Sequence, residues 1–180
     1  MELLIIFESL EGQTSKIAKF VEKRIIDAGH GVRRFNSEDE LAPLSFDGID
    51  AVVLAAPVHE RRHPKNFEVL ISASRAELKA RKTLLISVSL KAAFPDGRED
   101  AQDYLTELEM RTSFTPTQEV MVAGAVRASS YGYFESQVIK NVVLAGHDVD
   151  LVDGVREFTD WHALGDEIDR FLNEASVQVD

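Results

Sequence analysis

The stretch that decides the fold reads Ser9-Leu10-Glu11-Gly12-Gln13-Thr14, directly after the apolar segment Leu3-Leu4-Ile5-Ile6-Phe7. The apolar segment predicts a buried β-strand, and the residues after Thr14 have the apolar spacing of an amphipathic helix. A glycine between hydroxyl residues at the start of a helix makes a loop of backbone N–H groups that suits an anion such as phosphate. The loop lacks the lysine of G-x-x-x-x-G-K-[ST] and the spaced glycines of G-x-G-x-x-G, so it is neither of those two phosphate motifs.

Two acidic residues, Glu8 and Glu11, lie in or beside this loop. Their carboxylates would repel a phosphate dianion. We therefore expect both side chains to point into solvent while backbone N–H groups face the ligand. The alternative interpretation of the stretch is an ordinary strand–helix turn with a serine or threonine cap.

Apolar strand-like segments alternate with helical periodicity along the whole chain. This alternation predicts an α/β fold with a doubly wound, flavodoxin-like five-stranded parallel sheet of order 2-1-3-4-5. We expect a single domain over 1–180, with an insertion at about 127–154 after or within the fifth strand and a short returning strand at 155–158. The strands are predicted at 3–7, 31–35, 51–56, 83–90 and 119–126, and the helices at 17–28, 64–78, 101–108 and from about 160.

The composition excludes several classes of site. The chain has no cysteine, which excludes disulfides, thiolate metal sites and cysteine nucleophiles. A formal charge of −11 disfavours nonspecific nucleic-acid binding and attraction to anionic lipid, and it suits docking on basic partner surfaces. The charge alternatively does no more than aid solubility.

The sequence also bears on location. The longest apolar run, 51–58, is too short to cross a bilayer. Strand-like sequence from Glu2 leaves no room for a signal peptide. We expect a soluble, cytoplasmic protein, with weak peripheral association at the inner face of the membrane left open.

Ligands of a doubly wound sheet bind beyond the carboxyl ends of its strands, where the strand order reverses. That rule selects the loops 9–14, 57–63 and 89–95. The second loop is rich in cations and histidines, which would attract an acidic substrate, although a solvated surface loop is the alternative. His59 is a candidate proton acceptor. We predict no metal site, because Pro64 separates His59 and His63 from a shared helical face and no third ligand is evident.

Several segments together resemble one family more than a generic flavodoxin. They are Leu4-Ile5-Ile6-Phe7 with Ser9-x-x-Gly12-Gln13-Thr14, Val52-Val53-Leu54-x-Ala56, Ser87-Val88-x-Leu90, Ala123-Gly124-Ala125-Val126-Arg127 and Thr159-Asp160-Trp161. In order and spacing the chain resembles the menaquinone-dependent protoporphyrinogen oxidases, the flavodoxin-like family of haem biosynthesis. The resemblance covers nearly the whole length, including the insertion.

The resemblance implies an FMN-dependent oxidoreductase that oxidises protoporphyrinogen IX and passes the electrons to a respiratory quinone. The alternatives are a flavodoxin-type electron carrier that docks on a redox partner protein, and a flavodoxin-like binding module without FMN. The implied cofactor residues are Ser9, Leu10, Glu11, Gly12, Gln13 and Thr14 for the phosphate, with Pro57, Val58, His59, Ser87, Val88, Ser89 and Leu90 for the ring and ribityl chain. Substrate contacts are assigned to Arg61, Arg62, Arg127 and Tyr131, and no side-chain general base is assigned.

Overall fold

A computed structural model describes residues 1–39, 43–127 and 155–177. Five parallel strands form one sheet in the order β2-β1-β3-β4-β5, which confirms the predicted fold class. The elements along the chain are β1 (Glu2–Phe7), α1 (Gln13–Asp27), β2 (Gly31–Asn36), β3 (Ala51–Pro57), α2 (Lys65–Ala73), α3 (Arg75–Lys79), β4 (Lys82–Ser89), α4 (Arg98–Thr112), β5 (Gln118–Ala123), β6 (Ala125–Arg127), β7 (Val155–Glu157) and α5 (Trp161–Ser176).

The sheet separates two hydrophobic layers because successive side chains of a strand point to opposite faces. Ile5 of β1 belongs to the layer covered by α1 and α5, whereas its neighbour Ile6 belongs to the layer covered by α2 and α4. The central strands β1, β3 and β4 are therefore apolar on both sides, as expected for a parallel sheet between helices. Helices α1 and α4 lie on opposite faces of the sheet.

Helix α1 ends as its sequence predicts. Gly29 has a φ of +82°, and its N–H donates to the carbonyl of Ile26 at 2.9 Å. The N–H of His30 donates to the carbonyl of Ile25 at 3.1 Å. These two bonds form a Schellman motif, in which glycine supplies the left-handed conformation that stops the helix.

The second predicted helix, 64–78, is wrong as a single element. Ser74 has ψ near 11°, so α2 ends at Ala73 and α3 begins at Arg75. A serine hydroxyl competes for backbone groups and weakens a helix interior. Phe67, Ile71 and Leu78 of the predicted apolar face are nevertheless all buried.

The fifth strand is shorter than predicted, because β5 leaves β4 at Ala123 and the chain turns at Gly124. Beyond Gly124, β6 pairs antiparallel with β7, so the predicted returning strand is confirmed at Val155–Glu157. The rest of the predicted insertion, including Tyr131, lies outside the described residues.

Trp161, the first residue of α5, is half-buried. None of the helices within 1–39, 43–127 and 155–177 is long and apolar enough to cross a membrane.

Candidate functional site

The carboxyl ends of β1, β3 and β4 meet at one edge of the sheet. Phe7 pairs with Ala55, and Pro57 pairs with Val88, so the three strands end at similar heights. Strand order reverses at β1, which lies between β2 and β3. The loops selected by the sequence therefore surround the crevice where this fold class binds ligands.

The loop after β1 is shaped by Ser9. Its Oγ accepts hydrogen bonds from the backbone N–H of Gly12 at 3.2 Å and of Ser15 at 3.1 Å. Gly12 has a φ of +89° and occupies the N-cap position of α1, and the Ser9 hydroxyl caps the helix by accepting from Ser15, its third residue. The N–H groups of Gln13 and Thr14, at the first two helical positions, have no intrahelical acceptor and suit an anion.

The space beside Gly12 is open, since a Cβ built there would meet no atom within 4 Å. Glycine adopts this left-handed conformation at no steric cost, and the serine cap of the alternative interpretation is supplied by Ser9. Open space, a glycine turn and the N-terminus of a 15-residue helix fit a phosphate group. The loop therefore combines a serine cap with two N–H groups that suit an anion.

Glu8 does not point into solvent, so that expectation is wrong. Its side chain is 4% exposed, and its Oε2 accepts a hydrogen bond from Ser37 Oγ at 2.6 Å. Burial raises the pKa of Glu8, while the bonds from Ser37 and from the backbone of Phe67 lower it. The carboxyl group thereby joins the ends of β1 and β2 to the start of α2. Glu11 is half-buried.

A tight two-residue turn ends the loop after β3. His59 and Arg62 exchange both backbone hydrogen bonds, at 2.9 and 3.0 Å. Between them Glu60 has a φ of +48° and Arg61 a φ of +64°. This is the backbone of a type I′ turn, which favours glycine or asparagine, so both residues are strained.

The two predicted substrate arginines of this turn have different surroundings. Arg62 Nε donates to Glu68 Oε1 at 3.1 Å, and Arg111 approaches the same carboxylate at 3.5 Å. Glu68 is 5% exposed. Arg61 is exposed and lies over the Tyr104 ring at 5.8 Å. Arg62 is thus held in an ion-pair network, whereas Arg61 faces solvent beside the crevice.

His63 is the group that sequence reasoning missed. It is 1% exposed, and its Nε2 lies 3.0 Å from Ser87 Oγ on β4. Burial lowers the pKa of His63 to about 4, so the ring is neutral at neutral pH. Its Nδ1 is buried without a hydrogen-bond partner in the described part of the chain. The sequence analysis considered His63 only as a metal ligand, and its place beside Pro64, the N-cap of α2, was the only signal of its burial.

The loop after β4 is closed by backbone and hydroxyl contacts. Ser89 Oγ accepts from the N–H of Ala92 at 3.3 Å, and the Val88 carbonyl accepts from the N–H of Val58 at 2.7 Å. Two short 3-10 helices, Lys91–Ala93 and Pro95–Gly97, follow. Between them Phe94 packs edge-on against Phe158, with ring centroids 5.5 Å apart. An aromatic pair therefore borders the crevice.

Comparison with known proteins identifies the family. Residues 4–149 match the family model described as a flavodoxin domain. The chain belongs to the flavodoxin family. It is 24% identical over 166 residues to protoporphyrinogen IX dehydrogenase [quinone] of Escherichia coli (strain K12), a match that covers 91% of both chains.

Solved structures confirm the flavodoxin fold. Flavodoxin of Fusobacterium nucleatum, bound to flavin mononucleotide, aligns with a TM-score of 0.51 at 12% identity over 98% of both chains. Rubredoxin oxygen:oxidoreductase of Desulfovibrio gigas aligns with a TM-score of 0.58 at 12% identity, over 99% of this chain. This flavodoxin domain spans only 37% of that oxidoreductase.

The flavodoxin fold brings the predicted cofactor residues of all three loops to one edge of the sheet. Of the predicted substrate residues, Arg61 and Arg62 lie there, Arg127 is the last residue of β6, and Tyr131 falls outside the described residues. Within the described ranges no group of three or more metal-ligating side chains occurs. The roles of the individual residues stay predictions.

Proposed function

We propose that this flavodoxin-family protein binds FMN and oxidises protoporphyrinogen IX, passing the electrons to a quinone. FMN binding is supported above all by the open glycine turn at the N-terminus of α1. A flavodoxin of the same fold is bound to FMN, which supports the same cofactor. The substrate and acceptor rest on the similarity to the Escherichia coli dehydrogenase over nine-tenths of both chains.

Each loop has its own part in holding the cofactor. The backbone N–H groups of Gln13 and Thr14 would bind the phosphate, as charge-assisted hydrogen bonds worth about 1.5–3 kcal/mol each. Pro57–His59 and Ser87–Leu90 would border the ring and the ribityl chain. FMN, when bound, supplies the redox chemistry, and the protein supplies position and electrostatics.

Side chains of this protein hold the walls of the crevice together and place a positive charge beside it. The buried contact between His63 and Ser87 ties the loop after β3 to β4, which keeps two walls of the crevice in register. Exposed Arg61 places a cation beside the crevice, in a chain of net charge −11. That cation would attract the carboxylates of a porphyrinogen, which gives the substrate an orientation.

The cofactor is tested by Gly12→Glu with Gly48→Glu as its matched control. Both glycines have positive φ, at +89° and +70°, and open space beside them, so backbone strain is similar. Only at Gly12 would the new carboxylate face the phosphate. We expect Gly12→Glu to lose FMN, measured by visible flavin absorbance, while Gly48→Glu retains it. Equal flavin content in both variants would refute the assignment.

The reaction is tested by anaerobic incubation of the flavin-loaded protein with protoporphyrinogen IX and a menaquinone analogue. An oxidase converts the substrate to fluorescent protoporphyrin only when the quinone is present. The acidic charge favours one other candidate, an electron carrier that docks on a basic reductase. A carrier would accept electrons from a reductase and leave protoporphyrinogen unoxidised.

A further inference from the structure

The stretch Thr159-Asp160-Trp161 joins β7 to α5, and each residue has a defined contact. Asp160 caps α5 by accepting from the N–H groups of His162 and Ala163, at 3.1 and 3.0 Å. Trp161 packs against Phe20 of α1 with ring centroids 5.0 Å apart. Asp160 thus caps the start of α5, and Trp161 packs α5 against α1. Neither of these contacts involves Thr159.

Thr159 reaches the phosphate loop. Its Oγ1 donates to the carbonyl of Ala123, at the end of β5, at 2.7 Å. The same oxygen accepts from Gln13 Nε2 at 2.9 Å. Gln13 is the first residue of α1 and is 6% exposed; its Nε2 is hydrogen-bonded, whereas its Oε1 is buried without a partner in the described part of the chain. The hydroxyl therefore links the sheet edge to the first turn of α1.

Glu157 supports the same link from β7. Its carboxylate accepts hydrogen bonds from Lys16 Nζ and from Trp161 Nε1. Burial raises the pKa of Glu157, but the hydrogen bonds from Lys16, Trp161 and Gln13 outweigh burial and leave the pKa below its ordinary value. The charged carboxylate thus holds β7 against α1, which keeps Thr159 within reach of Gln13.

We propose that Thr159 is a positioning residue for the phosphate: its hydroxyl fixes the Gln13 side chain and so orients the first N–H groups of α1. The proposal rests on the proposed FMN function. The N–H of Gln13 is among the donors at the loop, and its direction depends on where the side chain is anchored. Without the hydroxyl, the buried amide of Gln13 keeps its bond to Glu157 but loses its link to the end of β5, so the first turn of α1 is held less firmly.

The test compares FMN with riboflavin, which has the ring but no phosphate. Dissociation constants of the full chain are measured for both by quenching of flavin fluorescence. Thr159→Val keeps the shape and removes the hydroxyl, and we expect the dissociation constant for FMN to rise about fivefold to tenfold, as for one lost hydrogen bond. Riboflavin binding should change less than about twofold. Thr159→Ser restores the hydroxyl and should restore FMN affinity.

Two further variants complete the design. Gln13→Met removes the donor from the opposite side of the bond and should weaken FMN binding in the same way, which keeps the proposal testable should Thr159→Val not fold. Thr106→Val is the control, since that hydroxyl donates to the Gln102 carbonyl within α4, on the other face of the sheet. It should leave both affinities unchanged.

The outcomes separate the two proposals. A wild-type chain that binds no FMN would overturn the proposed function. Wild-type binding with unchanged FMN affinity in Thr159→Val and Gln13→Met would overturn the positioning role alone. An equal loss of FMN and riboflavin affinity in those variants would also overturn it, because the effect would then not act through the phosphate.

Discussion

Acidification should destabilise this protein through His63. The pKa of the buried ring is about 4 in the folded chain, against 6.5 for an ordinary histidine. Between these two pKa values the unfolded chain binds more protons at His63 than the folded chain does. The stability that the neutral buried ring contributes is therefore fully present above pH 6.5 and is lost as the pH falls. This pKa difference of about 2.5 lowers the free energy of unfolding by about 3.4 kcal/mol when the pH is below both pKa values. At pH 5 the loss is about 2 kcal/mol.

The assay is urea denaturation at about pH 7.5 and pH 5, for the wild type and for His63→Gln, whose amide can keep the contact to Ser87 without titrating. The difference between the two proteins isolates His63 from other titrating groups. Glu8 is the most important of these other groups. Its raised pKa makes the folded chain bind a proton more tightly, so acidification stabilises the folded chain at Glu8 while destabilising it at His63.

We expect the wild type to lose about 2 kcal/mol more than His63→Gln between the two pH values. Parallel loss in both proteins would refute the reasoning. So would an imidazole NMR resonance of His63 that titrates near 6.5, since the ring would then be open to water in the folded state.

Three further changes test other parts of the structure. Glu60→Gly relieves a left-handed residue and should raise the free energy of unfolding by about 1 kcal/mol in urea, whereas Glu60→Ala should not. Glu68→Gln removes the charge that Arg62 and Arg111 share and should lower that free energy by about 1 kcal/mol, without altering riboflavin affinity. Replacing 128–154 by Asn-Gly, between the paired ends of β6 and β7, should preserve FMN absorbance and end protoporphyrinogen oxidation; continued turnover would show that the segment is dispensable.

The sheet could be predicted because its central strands β1, β3 and β4 are largely apolar runs and its crossovers have one allowed hand. The break between α2 and α3 and the end of β5 at Ala123 could not be predicted in the same way. Ser74 interrupts a helix whose apolar spacing continues across it, and Gly124 turns the chain while the residues on both sides still favour a strand. In both places the apolar pattern continues through the break, so periodicity alone predicts one element where the structure has two.

The candidate phosphate loop could be predicted from the sequence because the groups that suit an anion lie in the backbone of one short segment. The side-chain contacts around this loop could not be predicted, because each contacting residue comes from another helix or strand. Glu8 is buried because Ser37 and the start of α2 reach it, and His63 is buried because Ser87 of β4 faces it. Sequence gives the residue types at these positions but not which distant group faces them.

Thr159 and Gln13, 146 residues apart, show what such partners contribute. The N–H groups that we propose bind the phosphate belong to the start of α1, but one of the bonds that hold that turn comes from the segment after β7. The chain reaches that segment only after β5, β6 and the whole of 128–154. A change in the pairing of β6 with β7 would therefore move Thr159 relative to Gln13, and linkage requires that phosphate binding and this pairing influence each other equally.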